Sequence, residues 1–463
     1  MPQASALRPL RRFAGDRSAS FGIAAAAVIG ALALAGGFAL NTVQLSNARS
    51  HLLASLDAAV TSTARDLTTG VIEEADARGS VEAFLMANGA REFGWESGIA
   101  LDGIDVDRQA RTVTAQASMR VDLVFPLFSG EPVRRVTISS AAVYSDRDVE
   151  VAMMLDVTGS MAATWRSDKI GDLRRAAGNA VEQLLAGNRA GSERVRIALV
   201  PYAEAVNAGS LASRTVFVER RGGDDLPPPL DQAFSVSASS RPDNCATERK
   251  RADGSADLSD ASPYEVRRNL DGRSYQALVN RDDRVQVCPS AAVMPLTSDR
   301  QRLLDAIDAF RADGYTAGGI AAQWGYYMLS PDWRGAIADA SLGQGPADFD
   351  EREVSKVAIL MTDGEFNTAF AGVRSSPRGG QPVRSAANAE AICTAMKRDG
   401  IQIFTIGFAL PAGEASAART VLRNCASPDF SSLRHFHDVS TGAELDAAFR
   451  EIAGNIERLA LTR

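Results

Sequence analysis

Histidine is nearly missing: the chain has 463 residues and only three histidines, His51, His435 and His437. That disfavours the histidine-rich zinc enzymes as a class. The basic surplus of a nucleic-acid binder is also missing, since the net charge is -7. No G-x-S-x-G nucleophile turn occurs, so an esterase-type serine centre has no candidate. The four cysteines, Cys245, Cys288, Cys393 and Cys425, contain no C-x-x-C pair, which disfavours a structural zinc site. Their even number fits two disulfides in an oxidising compartment, with free thiols as the alternative. Their positions suggest Cys245 with Cys288 and Cys393 with Cys425. What is abundant is apolar sequence, 45% of the chain, enough for two or three folded domains.

Phe21 to Leu40 reads FGIAAAAVIGALALAGGFAL and carries no charge. At helical rise this run spans roughly 30 Å, about one bilayer core. Arg8, Arg11, Arg12 and Arg17 precede it, and the next basic residue beyond it apart from His51 is Arg49. The positive-inside rule then predicts a single-pass membrane anchor with a cytoplasmic N-terminus and the bulk outside. A cleaved signal peptide, cut near Ala33–Ala35, is the alternative. The length of the run favours the anchor. So does the continued helical spacing of Leu52, Leu56, Val60, Ala64 and Leu67. Residues 1–40 are therefore read as basic tail plus transmembrane helix.

Val113 to Phe125 alternates strictly, with Val113, Ala115, Ala117, Met119, Val121, Leu123 and Phe125 on one face. That is a half-buried strand. Val136 and Ile138 suggest a second strand and Ile99 to Val106 a partner. Residues 41–147 read as a small pilin-like α+β segment, a long helix followed by antiparallel strands.

From Asp148 the pattern changes. VEVAMMLD (149–156), RVRIALVPY (194–202), SKVAILMTDG (355–364) and IQIFTIGF (401–408) are nearly continuous apolar runs. Such runs belong to a sheet covered on both faces. Helical stretches lie between them, around 169–185, 298–311, 318–329 and 384–398, with a last one at 442–458. The expected fold of residues 148–463 is α/β, a doubly wound, mostly parallel sheet. Ligands of such sheets bind at the carboxyl ends of the strands. Asp156 and Asp363 stand at two such ends. DGYTAGGIAAQWG (313–325) is a Gly-rich turn opening a helix, with Thr316 in it.

These three loops resemble the metal-ion-dependent adhesion site of von Willebrand factor A (vWA) domains. Asp156-Val157-Thr158-Gly159-Ser160 matches that family's first motif, with threonine where serine is commoner. Thr316 matches its second-loop threonine and Asp363 its third-loop acid. The resemblance implies a metal site formed by Asp156, Thr158, Ser160, Thr316 and Asp363. It implies Mg2+, with Mn2+ or Ca2+ as alternatives, and a protein partner whose carboxylate completes the coordination. Two acids and three neutral hydroxyls suit a small hard cation. Met161, Ala162 and Ala163 stand where integrin-type relatives carry acids for a second cation, so one metal is expected.

The whole layout resembles the TadG-like proteins of the bacterial Flp/Tad (tight adherence) pilus assembly system, on FAGDRSASFGIAAAA (13–27), LDVTGSM, FTIGF (404–408) and NCASP (424–428). Prepilin-type cleavage would require a glutamate five residues after Gly15, where Ser20 stands, so an uncleaved anchor is expected. The resemblance implies a membrane-anchored, Mg2+-dependent protein-binding component of pilus assembly, not an enzyme. Its partners would be pilus or envelope components. The alternatives are an extracytoplasmic adhesin without a pilus role, or a metal-dependent hydrolase, for which Glu365 is the nearest base in sequence.

Two segments remain. Residues 215–295 show weak periodicity and read as a surface excursion stapled by Cys245 and Cys288, an insertion in the α/β domain. RHFHDVS (434–440) offers His435 and His437 at alternate positions, as a zinc pair or, preferably, an edge strand.

Overall fold

The computed structural model describes residues 18–461, except 69–71, 94–97, 108–109, 127–131, 145–146, 166, 189–192, 221–224, 231–243, 351–352, 374–379, 412–415 and 431–432. The basic tail before Ser18, with Gly15, lies outside the described residues. The chain forms two compact units, Met1–Ser145 and Asp146–Arg463.

In the first unit one helix, α1 (Ser18–Thr68), runs without a break. Its first half is apolar and outward-facing: Ile29 and Leu32 are each 67% exposed. Within Gly22–Thr68 is a window of mean hydropathy 2.3, long and apolar enough to cross a membrane by length and composition. The second half has a different surface. Leu52, Leu56 and Val60, one turn apart, are fully buried. They pack with Val81 and Leu85 of α2 (Ala77–Phe93) and with Val113, Ala115 and Ala117 of the sheet. That sheet is antiparallel, ordered β1 (Ala100–Asp107), β2 (Thr112–Asp122), β3 (Val133–Val143). α2 lay outside the sequence expectation, although Ala77, Val81 and Leu85 carry the helical spacing for it.

The second unit is built on an eight-stranded sheet. Five strands run parallel: β4 (Asp148–Asp156), β5 (Val195–Tyr202), β9 (Val354–Thr362), β10 (Gln402–Phe408) and β11 (Phe436–Val439). The edge beyond β5 is finished by β6 (Val206–Asn207) and β7 (Cys245–Ala246), both antiparallel. β8 (Met294–Thr297) pairs antiparallel with β5. The spatial order is β11-β10-β9-β4-β5-β6-β7.

The continuous apolar runs have a simple cause. Alternate residues of each strand enter different cores. Met153 and Leu155 face one core with Ile359 and Phe404, beneath α3 (Lys169–Leu185), α4 (Arg300–Asp308) and α8 (Gly442–Leu461). Ala152 and Met154 face the other with Leu360 and Ile403, beneath α5 (Gly318–Tyr327), α6 (Gln381–Arg398) and α7 (Ala417–Cys425). α5 is buried along its whole length. It lies so close to β4 that a Cβ on Gly325 would sit 2.2 Å from the Met154 sulfur.

Strand order creates the site. β5 lies on one side of β4, and β9, later in the chain, lies on the other. The winding therefore reverses at β4, and a crevice opens at the carboxyl ends of β4 and β9.

The described residues of 215–295 do not form the surface excursion that weak periodicity suggested. Val216–Val218 pairs parallel with Val279–Arg281, and β7 joins the main sheet. Thr247, Glu248, Arg249 and Lys250 are buried. The Lys250 ammonium lies 2.6 Å from Glu219 and 2.7 Å from Asp282. Burial is achieved here by mutual compensation of charge, which leaves no hydrophobic period to read. The disulfides are Cys245–Cys288 and Cys393–Cys425, the second joining α6 to α7.

At the opposite end of the sheet, Lys356 is buried with its ammonium 2.6 Å from Glu150 and 2.8 and 2.7 Å from the Leu329 and Ala347 carbonyls. Burial holds its pKa below the ordinary lysine range. Glu150→Gln leaves that ammonium without its anion, so thermal or denaturant unfolding is expected to show a loss of about 3 kcal/mol. Unchanged stability contradicts the packing described.

Candidate metal centre

The first loop starts where β4 ends. The Asp156 carboxylate is fully buried and both its oxygens are engaged. Oδ1 accepts the Thr158 N–H at 2.9 Å and Oδ2 accepts the Thr362 hydroxyl at 2.7 Å. The next residues form a short 3-10 turn, Gly159–Met161, with Thr158 at its N-cap but no side-chain capping bond. The hydroxyls of Thr158 and Ser160 are therefore not consumed in capping. They lie 2.9 Å apart. Ser160 donates to Asp363 Oδ1 at 2.5 Å. Residues 203 positions apart in sequence thus share one hydrogen-bonded cluster.

The second loop is registered on the first by backbone bonds. Asp313 N–H donates to the Val157 carbonyl at 2.9 Å, and Gly159 N–H donates to the Gly314 carbonyl at 2.9 Å. Gly314 has φ +79°, and a Cβ there would press on Val287 at 3.2 Å. Only glycine holds this conformation without strain. The same loop is tied to the third. Thr316 N–H donates to Asn367 Oδ1 at 2.9 Å, and its carbonyl accepts the Asn367 and Thr368 N–H groups. Asp156, Thr158, Ser160 and Asp363 are joined by direct bonds. Thr316 is buried two residues after Gly314, on the loop whose Gly314 carbonyl accepts the Gly159 N–H, and its own backbone bonds run to Asn367 and Thr368.

The two buried carboxylates disfavour charge on Asp156. Asp156 is pushed up to about 6, first by burial and then by the nearby Asp363 carboxylate, against the hydrogen bonds from Thr158 and Thr362. Asp363 is buried, and its Oδ2 accepts the Lys169 ammonium at 2.7 Å. A positive charge already lies on this carboxylate pair. The donors are all oxygens, from two carboxylates and three hydroxyls, the set preferred by Mg2+, Mn2+ or Ca2+ over softer metals. The residues present fit such an ion. The centre opens to solvent at Ser160, which is exposed, and on the same two loops Trp165 and Tyr315 are 85% and 63% exposed.

Sequence reasoning missed Lys169, Thr362 and Asn367. For Lys169 a signal exists. It is the first residue of α3, where the helix dipole disfavours a cation. A cation there suggests an anionic partner, and Asp363 is that partner. Thr362 and Asn367 act through hydrogen bonds that no spacing announces.

Other candidates resolve differently. Glu365 accepts Ser416 Oγ at 2.7 Å and Ala418 N–H at 2.6 Å, so it anchors the start of α7. Glu219, Asp282 and Asp283 bring carboxylate oxygens within 4.8 Å of one another. There the Lys250 ammonium bridges Glu219 and Asp282. His435 and His437 are buried at the sheet edge, one just before β11 and one within it. Burial lowers both below the ordinary histidine range. Among the described residues they join no cluster of metal-ligating side chains.

No protein-family model and no curated protein matches the chain. Solved structures do. The pilus adhesin SpaC from Lactobacillus rhamnosus GG matches at 12% identity and TM-score 0.37, over 78% of this chain and 34% of SpaC. This chain thus spans about a third of SpaC's length. The vWF domain of the type V pili tip protein Mfa5 from Porphyromonas gingivalis matches at 14% identity and TM-score 0.36, over 70% of this chain and 98% of that domain. The pilus adhesin RrgA from Streptococcus pneumoniae matches at 11% identity and TM-score 0.31, over 78% and 49%. Similarity this low carries nothing about function from those proteins to this one.

The third loop is held from behind by the buried Glu248, whose carboxylate accepts the Phe370 N–H at 3.2 Å. Burial pushes Glu248 up to about 7. The folded state then binds this proton more tightly than the unfolded chain. The associated stability is present below the ordinary value of 4.5 and lost as pH rises to about 7. Across that window wild type is expected to lose stability relative to Glu248→Gln in thermal unfolding. A constant difference contradicts the burial of this acid.

Proposed function

We propose that the chain is a membrane-anchored, Mg2+-dependent protein-binding component of Flp/Tad-type pilus assembly or tight adherence. In this reading unit 146–463 is a vWA-like domain. The observation that carries it is the direct hydrogen-bonded cluster of Asp156, Thr158, Ser160 and Asp363 at the reversal point of a parallel sheet, with a cation already drawn to it. The side chains that would hold the ion are Asp156, Thr158, Ser160, Thr316 and Asp363. When bound, the ion supplies Lewis acidity toward an incoming carboxylate. This chain's own residues supply only two acids among the five ligands, which leaves the site receptive to a partner's anion. Trp165 and Tyr315 provide apolar contact at the mouth, and exposed aromatics beside a polar centre are typical anchors of a protein interface.

A binding role is preferred to hydrolysis because Glu365, the base nearest in sequence, is committed to α7. The exposed apolar half of α1 supports an inner-membrane anchor, because a bilayer gives that surface an apolar solvent. The pilus setting rests on the sequence resemblance.

The test uses the full-length chain in detergent. Calorimetric titration with MgCl2 is expected to give a binding heat in wild type and none in Asp156→Ala. Equal heats overturn the assignment. In envelope extracts wild type is expected to retain partners that EDTA releases and Asp156→Ala fails to hold. A Trp165→Ala/Tyr315→Ala double variant is expected to keep the Mg2+ heat and weaken partner retention at least tenfold, since interface aromatics are worth about 2 kcal/mol each. Undiminished retention removes these two residues from the interface.

A further inference from the structure

We propose that Lys169 is the centre's own exchangeable counter-charge. Its ammonium holds Asp363 while no divalent ion is bound, withdraws when one binds, and thereby weakens and tunes cation affinity. The inference rests on the cation reading above and goes beyond it, because it assigns a role to a residue outside the five ligands.

Four observations carry it. First, the Asp363 side chain is 0% exposed and its two oxygens have different partners: a neutral hydroxyl, Ser160, on Oδ1 and the Lys169 ammonium on Oδ2. Second, Lys169 is, among the described residues, the only cation ion-paired with either carboxylate of the centre. Third, it occupies the first position of α3, where exposed backbone N–H groups repel positive charge. The preceding residue, Asp168, caps that helix by accepting the Gly171 N–H, so Lys169 takes no part in capping. Its placement is explained by Asp363. Fourth, the Lys169 side chain is 21% exposed, on a flexible four-carbon stem, so solvent is within reach once the ion pair opens.

A divalent ion and the ammonium draw on the same buried carboxylate. In this proposal the ion takes the Oδ2 side of Asp363 and so opens the Lys169–Asp363 pair. The pair also neutralises part of the repulsion between Asp156 and Asp363, so the ion-free centre keeps its shape. Removing the ammonium should have two opposite effects. The cation should bind more tightly, and the ion-free protein should become less stable. A merely structural lysine would move stability alone.

The experiment titrates MgCl2 into the EDTA-stripped full-length chain in detergent, as wild type, Lys169→Met, Lys169→Gln and Lys169→Arg. Displacing a partly exposed ion pair costs up to about 1 kcal/mol, so the Met and Gln variants are expected to bind Mg2+ about fivefold more tightly. Lys169→Arg keeps the competing charge and should stay near wild type. Thermal unfolding in EDTA should place Lys169→Met below wild type, with a larger rise on adding Mg2+. If Lys169→Met does not fold, Lys169→Gln carries the comparison. Equal or weaker affinity in the neutral variants, beside a wild type that binds, overturns this inference and leaves the cation reading standing. Lys169→Arg binding as tightly as the neutral variants also overturns it. No Mg2+ heat in any of the four proteins overturns the cation reading itself. Binding by the neutral variants alone supports the inference in its strongest form.

Discussion

The second unit is organised around two carboxylates that cannot comfortably coexist. Asp156 and Asp363 are both buried, and the Asp363 carboxylate adds to burial in disfavouring charge on Asp156. Burial removes the water that would screen them, so a positive charge at their meeting point, or a proton on Asp156, relieves the repulsion. The reversal of the sheet at β4 brings them together, because the chain returns to the other side of β4 only after β5 is laid down. The hydroxyls of Thr158 and Ser160 and the loop of Thr316 then complete a nest of hard oxygen donors. Lys169 supplies a positive charge there, and a divalent cation is the charge proposed to take its place.

Holding three loops in register takes more structure than the site itself. Thr316 is fixed to Asn367, Gly314 to Gly159, and Glu365 to the start of α7. Behind the third loop stands the charged interior of residues 215–295. Glu248 takes the Phe370 N–H, and Arg284, paired with Asp282, donates to the Phe370 carbonyl at 2.8 Å. The Cys245–Cys288 disulfide closes the same region next to Val287, the residue packed on Gly314. The described residues of this segment therefore brace the third loop and belong to the folded body.

What the sequence disclosed follows from how each feature is encoded. The strands at β4, β5, β9 and β10 were legible because burial on both faces forces long apolar runs. The helix α3 was legible to the residue, since its Ile170, Leu173, Ala177, Val181 and Leu184 stripe is regular. Asp156 and Asp363 were legible as polar residues ending apolar strands. The α7 helix was missed although Ser416 caps it and Ala418, Val421, Leu422 and Cys425 follow helical spacing. The brace was not legible, because Glu219, Lys250 and Asp282 look like solvated charges until their mutual distances are known. Lys169 was hidden for the same reason: its partner lies 194 positions away.

The most direct test of the central claim, that the three loops form one cation centre, is an anomalous-scattering map of crystals of the full-length chain grown with Mn2+. The account predicts one peak bounded by Asp156, Ser160, Thr316 and Asp363, with the Lys169 ammonium withdrawn from Asp363. A map with no peak there at saturating Mn2+, or with its peak at Glu219, Asp282 and Asp283, would contradict it.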